Sequence, residues 1–511
     1  MASSLTKGAA VQESTPVSGG KTFFGHPRGL ATLFMTEMWE RFSFYGMRSL
    51  LVLYLLAGGP DAKPGSQGGG LAMPEANAVA IYSVYLAMVY LLAMPGGWFG
   101  DRVWGPRKTV AISAVIIMVG HLTLAAPGQG MFFAGMALVA LGSGLLKANI
   151  STMVGHLYDG PQDPRRDGGF TIFYMGINLG GFAAPLVIGT IGQTVNWHLG
   201  FAVAALGMAL GLVMFLVGTR HLDPKSSVVP TPLTHQERNS TLRKGLIWLG
   251  VAAVFYGVVG GTGHFTLNWA MIPITLAGLV IPAWVIIRIK RDKDLSGTEQ
   301  AKVSGFIWLF VAAAAFWMIF DQGGSTVQAF AETKTSDEIF GIGFPSTWFQ
   351  SLNPMFIMAL APVFAWLWLW LARRNREPNT AVKFAMALVL IGASFFVFVV
   401  PMSMAAEGTG KVSPLWLVTI YMAQTIGELC LSPVGLSVTT KLAPAKYASQ
   451  MMGVWFLAVT AGDCTTSLLS IAKVDLSGTP IVALEASLAV LAGVAVWMYR
   501  KKAAGLMGNV H

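Results

Sequence analysis

Charge is scarce in this sequence. Asp, Glu, Lys and Arg make up 11% of its 511 residues, against about 25% in soluble domains. That leaves too little polar surface for a chain of this length to be several soluble domains. Cysteine is nearly missing too: Cys430 and Cys464 each sit inside an apolar run, so neither a disulfide framework nor a metal site is expected. No HExxH, GxSxG or phosphate-cradling glycine loop falls at a suitable place, which argues against a membrane-embedded enzyme and against a cofactor. No period-2 alternation of the kind that builds barrels is visible. The opening "MASSLTKGAAVQESTPVSGG" lacks an apolar core long enough for a cleavable signal peptide and reads as part of a disordered cytoplasmic tail over residues 1–28.

What the sequence has instead is hydrocarbon. Hydrophobic residues reach 54% and the mean hydropathy is +0.60. A helix needs about 20 apolar residues to cross the bilayer. Fourteen windows qualify, near 30–57, 77–100, 106–126, 131–158, 168–190, 196–218, 242–262, 270–290, 303–323, 346–373, 380–403, 413–440, 447–472 and 479–500. In lipid every backbone group must be satisfied within its own segment, so helix is the default. The 59 glycines are aperiodic, as expected where membrane helices pack closely through small residues. The fold class is therefore an all-α polytopic membrane protein.

Basic residues orient it. Loops following odd-numbered spans hold only Lys63, Lys334, Lys411 and Lys473; Arg41, Arg48 and Lys147 fall inside spans; the remainder cluster on the other side, as in "RVWGPRK", "RIKRDK" and "ARRNR". That bias places both termini in the cytoplasm. It also accounts for the net charge of +10 by topology and anionic lipid, with no nucleic-acid partner. Six spans end near residue 218, a polar linker follows, two spans intervene, and six more complete the chain. The expected organisation is a bundle at 29–218, a linker and helical hairpin at 219–302, a second bundle at 303–502, and a cytoplasmic tail at 503–511. Chains of two such bundles are usually transporters with a site at the bundle interface near midplane.

Eight charges lie at apparent membrane depth: Glu37, Glu40, Arg41, Arg48, Lys147, Asp321, Glu428 and Asp463. At roughly 2.5–3.5 kcal/mol each on an insertion scale, they would together cost on the order of 20 kcal/mol if uncompensated. They must pair, line water, or both. On the first span, helical geometry gathers Glu37, Glu40, Arg41, Phe44, Tyr45 and Arg48 into an arc of roughly 140°. The first bundle is net positive at depth and the second net negative. A cavity between them suits a dipolar solute, with its carboxylate toward Arg48 and Lys147 and its ammonium toward Glu428. A carboxylate in such a place can exchange a proton, because burial and a neighbouring cation pull its affinity in opposite directions.

The stretch "EMWERFSFYGMR" resembles the ExxERFxYYG motif of the proton-dependent oligopeptide transporters of the major facilitator superfamily. "FTIFYMGINLGGFAAPLVIG", "WFQSLNPMFIMALAP" and "GELCLSPVGLSVTTKLAP" resemble later segments of that family, and "GGWFGDRVWGPRK" resembles the superfamily loop between helices two and three. The resemblance is in register over most of residues 30–500. It implies the bacterial form of the fold, two six-helix bundles plus an inserted pair, in the bacterial inner membrane. It also implies proton-coupled import of di- and tripeptides by alternating access, with protons as the coupling ion and a monomer as the working unit. Family members carrying nitrate, other small anions or peptide-like drugs are the alternative, and Glu428 argues against an anion.

Carried over by position, Glu37, Glu40 and Arg41 would form the coupling motif with Lys147 as their partner. Arg48 would pair with Asp321 as an outer gate, although the charge pattern alone puts Arg48 on the substrate carboxylate. Tyr45, Tyr90, Asn178, Asn353, Glu428, Ser432 and Trp455 would line the peptide pocket, with Glu428 on the amino terminus and Arg41 and Lys147 on the carboxylate. Three positions depart from the family. Phe44 stands where the motif has its first tyrosine, removing a hydroxyl from the pocket. Asp321 is one methylene shorter than the frequent glutamate, shortening its reach to Arg48. Ser83 stands where animal relatives place a histidine. Asp463 is left without an assigned role, between pocket and packing.

Overall fold

The computed structural model describes residues 22–159, 163–408, 410–501 and 505. The expected tails at 1–28 and 503–511 therefore lie almost wholly outside the described residues. Fourteen long helical segments run in chain order: α1 (Gly29–Leu56), α2 (Glu75–Trp104), α3 (Pro106–Leu124), α4 (Gln129–His156), α5 (Arg166–Thr194), α6 (Trp197–His221), α7 (His235–Gly261), α8 (Asn268–Lys290), α9 (Gly297–Lys334), α10 (Ser346–Arg373), α11 (Thr380–Ala406), α12 (Leu415–Leu442), α13 (Ala448–Ile471) and α14 (Thr479–Met498). Thirteen of them are long and apolar enough to cross a bilayer, and α1 is the one whose charges set it apart.

Local chemistry places the boundaries. Ser296 and Glu299 form a reciprocal capping box at the start of α9, as Thr234 and Glu237 do for α7, and Asn196 and Asn379 cap α6 and α11. Between α2 and α3 the chain turns at Gly105 with φ +76°, a left-handed conformation natural only to glycine, and Pro106 opens the next helix. Where α1 crosses α5, a Cβ on Gly180 would stand 2.3 Å from the Met38 carbonyl. The missing side chain is what lets the two backbones touch. Pro433 lies inside α12, and Pro362 inside α10.

Two features depart from the sequence reading. The ninth span does not stop near residue 323. It tightens into a 3-10 turn at Asp321–Gly324 and resumes from Thr326 to Lys334, because the Gly323–Gly324 pair breaks the regular helix without ending the segment. After it comes a two-stranded hairpin, β1 (Glu338–Ile339) against β2 (Ile342–Gly343), turned through Phe340 and Gly341 at positive φ. It lies in a stretch read from sequence only as loop.

Among the described residues apolar packing falls into three clusters; the smallest joins Leu30, Ile117, Met153 and Phe215 of α1, α3, α4 and α6, and two are larger. One draws on α1, α2 and α4 to α6, from Met47, Leu50, Phe132, Ile188 and Phe201. The other draws on α9 and α11 to α14, from Phe306, Phe316, Phe384, Phe395 and Leu417. Helix α8 lends Val285, Ile286 and Ile289 to the second and Met271 to the first. Helix α7 lends almost nothing: 6% of its apolar window is buried, against 72% for α13.

The polar contacts between the bundles gather at mid-depth and toward the face opposite the described chain ends. Gln193 on α5 donates to Ser346 Oγ at 3.1 Å and to Glu332, and accepts from the Thr347 amide at 3.2 Å. Trp348 Nε1 donates to Thr190 Oγ1 at 2.8 Å, and Ser351 Oγ to the Phe182 carbonyl at 2.8 Å. Lys63 and Lys411 both reach Asp337, at 3.1 and 2.9 Å. These contacts surround a cavity of about 660 Å3 lined by Lys63, Gln193, Glu332, Asp337 and Ser346.

Candidate functional site

The polar arc of α1 faces the interior. Glu37, Glu40 and Arg41 are all buried. Arg41 Nε stands 2.9 Å from Glu37 Oε1 and 2.6 Å from Glu40 Oε2, so one guanidinium answers two carboxylates within a single helix. Ser143 Oγ on α4 donates to Glu40 Oε1 at 3.1 Å. The sequence reading did not single out Ser143, although it lies four residues before Lys147 and therefore on the same helical face.

Lys147 sits beside the coupling motif without pairing directly with its acids. Its ammonium lies 3.5 Å from the Tyr90 ring centroid, and among the described residues it makes no ion pair with Glu37 or Glu40. The reason is that Arg41 already occupies both carboxylates from the same helix. Lys147 instead takes the electron-rich ring face, a contact worth about 0.5–2 kcal/mol. It stays in electrostatic range of the acids while keeping its donors unspent.

Arg48, two turns beyond Arg41, crosses between the bundles. Its Nη2 donates to Asp321 Oδ1 at 2.8 Å, and its Nε donates to the Tyr82 hydroxyl. Both members are largely withdrawn from solvent. The shorter acid therefore does reach, because the 3-10 turn beginning at Asp321 brings that stretch of backbone toward α1 and α2. Tyr82 was missed by sequence reasoning: it carries no charge at neutral pH and lies in an apolar run, so nothing marked it.

On the second bundle Glu428 is half-buried, and Asn353 Nδ2 donates to its Oε2 at 2.9 Å while also reaching Thr425 Oγ1 at 3.0 Å. Ser432, one turn further along α12, has a hydroxyl with no partner. Tyr45 stands between the walls. It lies in electrostatic range of Arg41 and Arg48 on its own bundle and of Asp321 and Glu428 on the other. Tyr90 likewise lies in range of Arg41, Arg48 and Asp321.

Three assigned positions do not present much to this space. Trp455 is 6% exposed and packs in the second bundle's core against Phe384 and the bare Gly435 backbone. Asn178 spends its amide on the Tyr174 carbonyl of its own helix; Tyr174 is the more exposed of the two. Phe44 is buried and stacked on Tyr85. Gln350, Tyr421 and Gln328 form a further polar knot, with Gln350 Nε2 donating to Tyr421 at 3.1 Å and to Gln328 at 3.0 Å.

A family model described as the POT family matches residues 107–477. The chain belongs to the POT family. A di-/tripeptide transporter of Lactococcus lactis subsp. cremoris is 38% identical over 498 residues, covering 96% of this chain and 98% of its own. The uncharacterized transporter YclF of Bacillus subtilis (strain 168) is 44% identical over 456 residues, covering 89% of each. Among solved structures, a peptide transporter POT in complex with sulfate is 42% identical and superposes with a TM-score of 0.89, over 95% of this chain and 97% of that one. A POT family transporter in complex with 5-aminolevulinic acid is 33% identical with a TM-score of 0.88, over 94% and 98%. The architecture of the fourteen segments is thus that of the POT family, within the major facilitator fold.

Proposed function

We propose that this chain is a proton-coupled importer of di- and tripeptides that works by alternating access as a monomer in a bacterial inner membrane. One observation carries the reading: Tyr45 stands between a cationic wall (Arg41, Arg48) and an anionic one (Asp321, Glu428) belonging to the other bundle. A zwitterion with its charges several bonds apart satisfies both walls, and a simple anion gains nothing from Glu428.

In this mechanism Glu428, held by Asn353, receives the peptide's amino terminus. Arg41 and Lys147 receive its carboxylate; Lys147 is suited to this because its ammonium rests on a ring rather than on an acid. Arg48 and Asp321 hold the bundles together on one face. Protonation of Asp321 would abolish its charge, release Arg48, and let that face open. Taking the basic-residue bias as the guide to sidedness, the face closed by Gln193, Glu332, Trp348 and Asp337 is the outer one and the chain ends are cytoplasmic. Names of relatives that transport peptides support the substrate class.

The test is uptake of dialanine into proteoliposomes with and without an inward proton gradient, beside an N-acetylated dipeptide. Gradient-dependent, saturable uptake of the free peptide alone is expected. Equal uptake of the acetylated compound would overturn the clamp on the amino terminus. A second reading, transport of other zwitterions with the same two end groups, is favoured by the relative bound to 5-aminolevulinic acid. Competition between that compound and dialanine checks it.

A further inference from the structure

Asp463 is the charged residue that neither the packing nor the clamp uses. It lies on α13, 2% exposed, and its Oδ2 has no hydrogen-bond partner among the described residues. Its neighbours on the same helix fix where it points. Thr460 Oγ1 donates to the Ala87 carbonyl of α2 at 3.3 Å. Thr466 Oγ1 reaches the Met318 carbonyl of α9 at 3.3 Å, and Gly462 lies against Ala314 and Met318. Asp463 is thus wedged where α13 meets α2 and α9, beside the segment that carries Asp321.

The titratable groups facing it are few. From α1 comes Arg48, from α2 Tyr82, and from α9 Asp321, all in electrostatic range. Helix α8 contributes no ionisable side chain at this level. It offers Thr275, bonded to Ser467 at 3.0 Å, and Gly278, against the thiol of Cys464. Helix α12 meets α13 elsewhere, where Trp455 rests on Gly435. The guanidinium's Nε and Nη2 are committed to Tyr82 and Asp321. Two carboxylates and one guanidinium would leave a net negative charge in a place with little water-facing surface. An ionised carboxylate without donors there is far costlier than a neutral acid. Glu485, the other buried acid nearby, differs in this respect: Gln322 Nε2 donates to both its oxygens, at 3.2 and 3.0 Å.

We propose that Asp463 is the second carboxylate of the Arg48–Asp321 gate, and that it holds a proton as long as that pair is closed. The inference rests on the proton-coupled reading above. Asp321 and Asp463 then titrate as a pair sharing one guanidinium. When Arg48 leaves Asp321, Asp463 is the acceptor within reach, and its proton passes to water as the carboxylate forms. Only an O–H bond breaks and reforms.

The infrared spectrum tests this without reference to transport. Wild type minus Asp463→Asn, both in lipid at neutral pH, is expected to show a buried protonated-carboxyl C=O band. Asp463→Ser, with a smaller neutral group, should lose the same band. Its persistence in either variant overturns the proposal. In proteoliposomes, Asp463→Asn is expected to move the pH midpoint of gradient-driven dialanine uptake by about one unit, the scale on which a neighbouring carboxylate shifts a partner's proton affinity. Asp463→Glu is expected to restore it. A midpoint unmoved in Asp463→Asn, or moved and not restored by Asp463→Glu, assigns the residue to packing and overturns the proposal. If wild type takes up no dialanine at any pH, the peptide reading fails, and the infrared comparison still decides Asp463.

Discussion

The two bundles handle their buried charges in opposite ways. In the first, Glu37 and Glu40 share Arg41 within little more than one turn of a single helix, and Ser143 adds a donor. In the second, Glu428 has only an amide and Asp321 depends on an arginine from the other bundle. A charge paired on its own helix keeps its partner whatever the bundles do relative to each other. A charge paired across the interface, or paired with a neutral group, changes its surroundings whenever the bundles move. The first arrangement is built to persist and the second to be switched.

Substitutions can break that contrast. Asp321→Asn should have the largest effect. It leaves Arg48 buried without its counter-charge, where loss of one partner typically costs about 3–5 kcal/mol, and gradient-driven uptake should fall to background. Glu428→Gln should come next. It keeps the shape and the Asn353 contact but loses a charge-assisted bond worth about 1.5–3 kcal/mol, so the KM for dialanine should rise tenfold to a hundredfold. Ser143→Ala is the milder test on the side whose charges pair within one helix. It removes one donor from Glu40 at about 1 kcal/mol, so uptake should fall several-fold with little change in its pH profile. An effect as large as that of Glu428→Gln would show that the α1 cluster is not self-sufficient.

The smallest effect belongs to the exposed pair site on the loop after α9. Lys411 and Lys63 hold the Asp337 carboxyl below its usual range. A depressed acid contributes stability above its unfolded value, near 3.9, and loses it as pH falls toward the folded value. Because the side chain is half exposed, that contribution is at most about 1 kcal/mol. Thermal unfolding of Asp337→Asn should therefore fall a degree or two short of wild type at pH 7, and the gap should close only as pH falls well below the unfolded value, through the folded one.

The spans, their number and the two-bundle division could be read from hydropathy because lipid leaves the backbone one solution. The charged members of the site could be read for a related reason: at depth each charge is an anomaly that demands a partner. What escaped reading was neutral. Tyr82, Ser143, Thr425 and Gln350 look like ordinary helix residues, and their importance arises only where a segment distant in sequence comes alongside. Sequence places Lys147 near the acids but does not show that Arg41 already fills them. Trp455 was assigned to the pocket by resemblance, and the bare backbone of Gly435 draws its ring inward. The 3-10 turn at Asp321–Gly324 was taken for the end of a span, although two consecutive glycines are equally compatible with a break that the helix survives.

The proline in α12 has a mechanical consequence. Pro433 has no amide hydrogen, so the Leu429 carbonyl four residues earlier loses its regular donor. The helix has a compliant joint one turn past Glu428. Flexing there swings the stretch that leads to Leu442 and leaves the acid, Thr425 and Asn353 as a fixed anvil. A ligand's amine held on that anvil would feel no tug while the far arm opens or shuts beneath it.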